Sequence, residues 1–265
     1  MLLEDILASL EVVSLDSLAG HEQTIPKNEA RLREAMLNIG RLVDPLIVDK
    51  EHKIVLDGNH RLTVLNSLHC VNAACQLVDY ASENIKVGSW FPATPKFPEK
   101  IGAVKCDIVD FEAGLEALSR KDAYFMAVSE VNGKKKCCLF ESSDTDLQTI
   151  ILEQQELLKK IEREPGLDYI EDFRAPDALS VSRTVLYRRT FTKQEIVARA
   201  KAANPFPPKS TRHIIPERVI RLNVPLGWLT EDDLESARSK LAEMVKKRIS
   251  EHAIRHYTEP VLVIY

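Results

Sequence analysis

The sequence lacks any apolar segment of about 20 residues, the length that a membrane-spanning helix needs. Its first residues, MLLEDILASL, include early acidic residues and no basic cluster, so we do not expect a signal peptide. It also lacks a strong charge bias, because 36 Lys and Arg residues face 40 Asp and Glu residues, for a net charge of −4. A surface built to coat nucleic acid is therefore not expected, whereas a local basic cleft is compatible with this balance.

Cysteine is scarce and has no ligand-like spacing. The five cysteines are odd in number, and no two of them form a CxxC pair. Cys137 and Cys138 are adjacent, so on a strand their side chains point to opposite faces. The pattern predicts neither a disulfide framework nor a zinc site, and we expect reduced thiols in a cytoplasmic protein. The cysteines are Cys70, Cys75, Cys106, Cys137 and Cys138.

The composition is that of an ordinary globular protein, with 45% apolar and 29% charged residues over 265 positions. We predict a mixed α/β (α+β) fold in two domains, residues 1–88 and residues 89–265. The boundary falls in GSWFPATPKFPEK, residues 88–100. Proline lacks an amide proton and fixes φ, so we do not expect this segment to continue a helix or a central strand.

Periodicity and turn residues predict the elements of the first domain. Asn28 is the expected N-cap and Gly40 the expected C-cap of a helix, and Leu62, Leu65 and Leu68 predict the apolar face of a second helix. The predicted strands are residues 10–15, 46–49, 53–56 and 73–80.

In the second domain, Asn132-Gly133 predicts a hairpin of residues 123–131 and 134–140. Thr192 and Glu195 form a capping box at a helix start. We also predict a helix over about residues 144–163, strands at 183–189, 219–224 and 261–264, and a helix from Thr230 and Asp233 to about residue 249.

The most informative segment is KIVLDGNHRLTVL, residues 53–65, which predicts a strand, a tight turn at Gly58 and a helix. Unpaired amides and the helix dipole stabilise a phosphate at such a helix start. His60 and Arg61 would add donors, and Asp57 would hold a metal ion or cap the helix. The alternative is a capped helix with a surface arginine and a satisfied histidine. Two basic residues in a first helical turn favour the anion site, because cations are otherwise disfavoured there.

Three further features are candidates for chemistry. Glu22, in the loop after the first strand, would deprotonate a hydroxyl or bind Mg²⁺, or is simply an exposed loop residue. Trp90 would line a ligand pocket or pack at a domain junction. A basic loop after several prolines would surround a small anion or be solvated. Its residues are Lys209, Ser210, Thr211, Arg212 and His213.

Residues 10–80 resemble the ParB/sulfiredoxin superfamily, whose signature is a strand, a DG(x)HR-type turn and a helix that binds nucleotide phosphates. The signature stands here as DGNHR, residues 57–61. FPPKSTRH (206–213), VIRLNVPLGWL (219–229) and the terminal YTEPVLVIY are similar to the free serine kinases. That group includes an ADP-dependent archaeal enzyme of cysteine biosynthesis and an ATP-using bacterial relative.

The resemblance implies transfer of a phosphoryl group from ADP or ATP to the hydroxyl of L-serine, with Mg²⁺, to give O-phosphoserine. Glu22 matches the glutamate that takes the serine proton. Asp57 and His60 are implied catalytic residues, and Asp57 is also the implied metal ligand. The implied nucleotide-binding residues are Gly58, Asn59, His60 and Arg61. The implied substrate-binding residues are Trp90, Lys209, Ser210, Thr211, Arg212 and His213, in a loop expected to close on the site in the cleft between the two domains.

The sequence departs from the superfamily at two places, and each departure argues against one of the activities known in the superfamily. Asn59 lies in the turn where sulfiredoxins carry a catalytic cysteine, so we do not expect sulfinic-acid reduction. Residues 98–140 predict strands where ParB proteins carry a helix-turn-helix domain, so we do not expect sequence-specific DNA binding. The rival hypotheses are a ParB-like nucleotide-dependent regulator without kinase activity and a kinase for another hydroxyl metabolite. The sequence leaves the phosphoryl donor and the oligomeric state open.

Overall fold

The computed structural model describes residues 3–95, 106–162 and 165–257, and it confirms a mixed α/β fold. The described residues form two compact units. The first unit contains the residues up to Asn84, Ala200–Ala203 and the residues from Ile215 onward, and the second contains residues from Ile85–Arg199 and Asn204–Ile214. The predicted domains meet at residues 88–89, whereas the two units divide between Asn84 and Ile85. Residues 215–257, however, belong to the first unit and not to the second.

The first unit is built on a five-stranded mixed sheet in the order β1-β6-β4-β5-β2. β4 and β5 form an antiparallel pair whose apolar residues are buried. β2 runs parallel to β5 with Gly20 opposite Val55, which directs the following residues toward the end of β5 that carries Asp57. The predicted strands are confirmed with small shifts at their ends. The strands are β1 (Leu10–Ser14), β2 (Ala19–Gly20), β4 (Leu46–Asp49), β5 (Ile54–Asp57) and β6 (Asn72–Val78).

Two helix starts in the first unit differ from the prediction. The helix Pro26–Ile39 begins before Asn28, because Pro26 suits the first helical position. The last helix begins after Asp233, whose side chain accepts the Ser236 N–H, and not at Thr230. The predicted C-cap Gly40 is confirmed, with a φ of 68°. The helices of this unit are Leu3–Ala8, Pro26–Ile39, Asn59–Ser67, Leu226–Leu229 and Leu234–Ser250.

The C-terminal part returns to the first unit because its apolar side chains complete that core. Leu222, Val224 and Leu229 are buried there with residues of β1, β4, β5 and β6. The short strand β15 (Val224–Pro225) pairs antiparallel with β3 (Arg41–Leu42). Of the strand predicted at 219–224, only Val224 lies in a strand. Positive φ at Arg221 and Asn223, as at Glu217 before them, is incompatible with an extended strand.

The second unit is built on a six-stranded antiparallel sheet in the order β12-β8-β13-β10-β11-β9. The predicted hairpin is confirmed, and both Asn132 and Gly133 have positive φ, as a tight hairpin turn of this type requires. The strands are β8 (Trp90–Thr94), β9 (Asp107–Val109), β10 (Ala123–Val131), β11 (Lys134–Glu141), β12 (Asp168–Glu171) and β13 (Thr184–Tyr187).

Helices cover both faces of this sheet. One face packs against the helices Phe111–Arg120 and Ala175–Ser180, and the other against Leu147–Ile161. The described part of residues 98–140 thus contains a helix between strands, where the sequence predicted strands alone. Strand, helix and hairpin in residues 107–141 do not form a helix-turn-helix. The predicted capping box starts the helix Lys193–Lys201, because Thr192 and Glu195 exchange backbone-to-side-chain hydrogen bonds.

The described part of the proline-containing boundary segment contains a strand, contrary to the prediction. β8 (Trp90–Thr94) lies between β12 and β13 and includes Pro92. It pairs with β12 over Trp90–Ala93, but with β13 only at Ala93 and Thr94. At Pro92 only one side of the strand is paired, so the missing amide proton is tolerated there. Residues 96–100 of this segment and the predicted strand 261–264 lie outside the described residues.

A short antiparallel ladder joins β7 (Lys86–Gly88) to β14 (Arg212–Ile214), with Arg212 opposite Gly88. This pairing brings the basic loop at 209–213 beside the start of β8. None of the helices in the described ranges has the length and apolar character that a bilayer crossing requires.

The prediction of reduced thiols is wrong for two cysteines. Cys106 and Cys138 form a disulfide, with their Cα atoms 5.5 Å apart. Pairing of β9 with β11 sets Ile108 opposite Cys138, which brings Cys106 within bonding range. Cys137 points into the opposite face of the sheet, as predicted for adjacent residues of a strand.

Alkylation of the denatured chain tests this disulfide. Without reductant we expect three modified thiols, Cys70, Cys75 and Cys137. After reduction all five should react, and the variant Cys106→Ser should show four without reductant because Cys138 loses its partner. Intact-mass spectrometry counts the modifications. Five modified thiols in the unreduced wild type would show that Cys106 and Cys138 are reduced, as the sequence predicted.

Candidate phosphate-binding site

The predicted turn joins β5 directly to a helix. Asp57 ends β5, Gly58 is the N-cap of Asn59–Ser67 with a φ of 106°, and the structure gives this N-cap no side-chain hydrogen bond. A Cβ at Gly58 would lie 3.0 Å from Nε of Arg61 and 3.1 Å from its Cζ. Both the conformation and the close approach therefore favour glycine, which has no side chain to cap the start of the helix.

The loop that carries Glu22 is held on both sides by the first two residues of this helix. The His21 N–H donates to Oδ1 of Asn59 at 3.2 Å, and the Ile25 N–H donates to Nε2 of His60 at 3.0 Å. Glu22 lies between these two attachments. The structure thus brings the predicted catalytic carboxylate and the predicted phosphate-binding turn together within the first unit.

Two histidines lie at this position, His21 in the Glu22 loop and His60 in the first turn of the helix. His21 is buried, and Nδ1 lies 2.6 Å from the Val55 carbonyl oxygen. Burial lowers the pKa of His21 from 6.5 to about 4, against smaller opposing effects of the Val55 carbonyl and Asp57. Because Nε2 of His60 accepts a backbone amide proton, that nitrogen carries no proton. His60 therefore anchors the Glu22 loop in this structure, while its role as a phosphate donor or catalytic residue stays a prediction.

Arg61 is also engaged with its own chain. Its Nη1 donates to the carbonyl oxygens of Asp44, at 3.0 Å, and Pro45, at 2.6 Å, and its Nη2 donates to Asp57. The two parallel bonds to a phosphate stay a prediction, because the guanidinium here ties the turn to the start of β4. Asp57 also accepts from Arg218, a residue that the sequence analysis did not single out.

The predicted metal ligand is a single carboxylate. Among the described residues, no group of three or more His, Cys, Asp or Glu side chains is arranged to hold a metal ion. Mg²⁺ in nucleotide sites is bound by one or two carboxylates together with phosphate oxygens and water. Asp57 fits that role only beside a bound nucleotide, so the structure supports no dedicated protein cage for the metal.

The second unit gathers the remaining predicted residues around a buried arginine. Nζ of Lys209 lies 4.5 Å from the centre of the Trp90 ring. Arg188 donates through Nε to Oγ of Ser89 at 2.9 Å, and through Nη2 to the carbonyl oxygens of Trp90, at 2.6 Å, and Lys209. Arg188 therefore fixes the Trp90 segment and the basic loop to one another.

The rest of that loop is attached to Ser89 and to β7. Ser210 and Thr211 are buried, and the Ser210 carbonyl accepts from Oγ of Ser89 at 3.3 Å. His213 pairs with Val87 in the β7–β14 ladder. Nη1 of Arg212 is buried without a hydrogen-bond partner in the described part of the chain. A buried unsatisfied donor calls for an explanation, and a bound anion would provide one.

Arg188 and Asp172 are site-positioning residues that sequence reasoning missed. A carboxylate oxygen of Asp172 accepts the Ser89 N–H at 2.9 Å and would lie 2.7 Å from a Cβ at Gly88. The only signal in the sequence is an arginine at the end of an apolar strand and an aspartate after another strand. Neither indicates a partner about a hundred residues away.

No family model matches the chain. It is 25% identical over 228 residues to an ADP-dependent L-serine kinase of Thermococcus kodakarensis, which covers 82% of this chain and 91% of the relative. It is also 25% identical over 235 residues to an ATP-dependent L-serine kinase of Staphylothermus marinus, covering 82% of this chain and 90% of that relative.

Solved structures share the fold. SbnI from Staphylococcus aureus with a C-terminal truncation aligns with a TM-score of 0.73 and 17% identity, covering 93% of this chain and 100% of that chain. A free serine kinase in complex with AMP aligns with a TM-score of 0.66 and 23% identity, covering 83% of this chain and 93% of that chain.

By fold, then, the chain is a mixed α/β protein of the architecture seen in free serine kinases and SbnI. The resemblance to the free serine kinases that the sequence predicted is confirmed over more than four fifths of the chain.

Gly58→Ala tests the geometry of the turn, with Gly40→Ala as a matched control. Gly40 also has positive φ, 68°, but a Cβ there would meet nothing within 4 Å. We expect Gly40→Ala to lower the free energy of unfolding by about 1 kcal/mol, from backbone strain alone. Gly58→Ala should cost about 2–3 kcal/mol, because its methyl group also contacts the Arg61 guanidinium. Denaturant unfolding measures both values, and equal losses would contradict the close approach.

His21 predicts a pH dependence of stability. Its pKa is lower in the folded chain than in the unfolded chain, so between pH 6.5 and about 4 the unfolded chain binds the extra proton. Stability should therefore fall by about 3 kcal/mol from pH 7 to pH 4 through this residue. His21→Asn cannot take up this proton, so its unfolding free energy should fall less steeply over the same range. Parallel pH profiles of the two proteins, measured in guanidinium chloride, would contradict the burial effect.

Proposed function

We propose that the chain is a free L-serine kinase, which transfers a phosphoryl group from ADP or ATP to the serine hydroxyl. The observation that carries the proposal is the attachment of the Glu22 loop to the helix start through Asn59 and His60. A carboxylate beside a phosphate-binding helix start is the minimum that phosphoryl transfer to a hydroxyl requires. The L-serine kinases among the relatives support this choice of acceptor.

The phosphate side of the site combines backbone amides with an excess of positive charge. Helix Asn59–Ser67 begins after Gly58, which has no side chain to cap it, and the helix dipole favours an anion at that end. Asp57 carries one negative charge, and the two arginines that form ion pairs with it, Arg61 and Arg218, carry one positive charge each. The local balance is positive, which suits the phosphates of a nucleotide. Mg²⁺ would be held by Asp57 together with those phosphates, and it would supply charge neutralisation.

On the acceptor side, Glu22 takes the proton of the serine hydroxyl. As the serine oxygen forms its bond to phosphorus, the bond between phosphorus and the leaving nucleotide oxygen breaks, and AMP or ADP keeps the electron pair. Trp90 and the loop of Lys209, Ser210, Thr211, Arg212 and His213 are proposed to bind serine and the transferred group. Nη1 of Arg212 has no hydrogen-bond partner among the described residues, which supports an anion at this loop.

Because one relative is ADP-dependent and another is ATP-dependent, both donors need testing. The experiment incubates the full chain with L-serine, Mg²⁺ and either ADP or ATP, followed by mass analysis of the products. We expect O-phosphoserine with AMP from ADP, or with ADP from ATP. Glu22→Gln should lower the rate by about 10²–10⁴-fold and leave nucleotide affinity nearly unchanged, since it removes the proton acceptor.

Glu51→Gln is the matched control for this variant. Glu51 is exposed and lies in the β4–β5 turn, at the opposite end of β5 from Asp57. It should keep full activity. Full activity of Glu22→Gln would refute Glu22 as the base. No O-phosphoserine from either donor would refute the kinase, and salt-dependent binding of duplex DNA would then favour the regulator.

A further inference from the structure

Asp57 is shared by two arginines from distant parts of the chain. Its Oδ2 accepts from Nη2 of Arg61, four residues on, and from Nη2 of Arg218, 161 residues on, at 2.6 Å. The Arg218 side chain is 42% exposed, whereas that of Arg61 is 17% exposed. A second guanidinium therefore lies at the phosphate-binding turn, and it is the more accessible of the two.

The two guanidiniums differ in how much of their hydrogen-bonding capacity the chain uses. Arg61 donates to two backbone carbonyls as well as to Asp57. Arg218 donates to Asp57, its one hydrogen bond within the described residues. Since a guanidinium has five donors, Arg218 keeps most of them for another acceptor. The planar fork of arginine suits phosphate oxygens in particular.

A buried glutamine fixes the backbone on either side of Arg218. Gln76 on β6 is fully buried, its Nε2 donates to the Glu217 carbonyl at 2.8 Å, and its Oε1 accepts the Val219 N–H at 2.9 Å. Three residues further on, the Arg221 N–H donates to Oδ1 of Asp44 at 2.7 Å. The segment that carries Arg218 is thus attached to the sheet by directed hydrogen bonds, although it has no regular secondary structure.

We propose that Arg218 binds the phosphates of the donor at the turn and stabilises the group in transfer, a role that rests on the proposed kinase function. Asp57 holds the guanidinium at the turn until a phosphate replaces it as the acceptor. As the bond from the serine oxygen to phosphorus forms and the bond to the leaving nucleotide oxygen breaks, Arg218 offsets the negative charge on the phosphate oxygens. The hydroxyl proton goes to Glu22, so Arg218 takes no part in proton transfer.

The test compares Arg218→Ala, Arg218→Lys and a matched control, Arg238→Ala. Arg238 forms an ion pair of similar exposure with Glu11, at 2.7 Å, on the edge strand β1 of the same sheet, with β6 and β4 between β1 and β5. We expect Arg218→Ala to lower kcat/KM for the donor by about 10²-fold, the usual loss for one preorganised donor to a developing charge. Arg218→Lys should fall between alanine and wild type, since it keeps the charge but not the fork. Arg238→Ala should match wild type.

Binding of ADP, measured by calorimetry on the same full-length proteins, separates this proposal from the proposed function. Arg218→Ala should weaken ADP binding about tenfold, and Arg238→Ala should leave it unchanged. If wild type binds ADP but makes no O-phosphoserine, the kinase proposal fails, and the tenfold loss still decides whether Arg218 binds phosphate. Unchanged ADP affinity and unchanged kcat/KM in Arg218→Ala would overturn the inference, as would the absence of ADP binding to wild type.

Discussion

At Gly58 the backbone leaves a buried strand and enters a helix within one residue. The φ of Gly58 is 106°, a value that residues with a side chain rarely adopt. Because the helix starts so abruptly, Asn59 and His60 project from its first turn and reach the backbone of the segment before Pro26. The same tight turn places the Arg61 guanidinium under Gly58, where it can bond Asp57 and the start of β4. A longer connection would separate these groups.

The polar residues of the turn are hydrogen-bonded to other segments of the first unit. Asn59 and His60 hold the Glu22 loop, and Arg61 holds the edge of β4. Such preorganisation matters for phosphoryl transfer, in which a protein contributes position and charge more than covalent chemistry. Buried and exposed side chains have different roles in this arrangement. Buried side chains such as His21 fix the geometry. In the proposed kinase the exposed side chains would supply charge to the nucleotide.

The parts of the fold that depend on neighbouring residues were predictable from the sequence. The Asn132-Gly133 hairpin, the Gly58 turn and the Thr192 capping box each rest on bonds within a few residues. Features that depend on distant partners were not predictable in this way. Pro92 is accepted in a strand because β13 pairs only with the end of that strand, and the Cys106 disulfide depends on the pairing of β9 with β11. Arg218 meets Asp57 across 161 residues, and no local pattern indicates that contact.

The first unit is discontinuous in sequence, and this has a consequence for synthesis on the ribosome. Most of the second unit forms one continuous stretch, from Ile85 to Arg199. The core of the first unit, by contrast, needs Leu222, Val224 and Leu241. A nascent chain can therefore pack the later-encoded unit while the earlier-encoded one still waits for its last helix. The turn at Gly58 receives the guanidinium of Arg218 on Asp57 only after the segment that carries Arg218 has been synthesised.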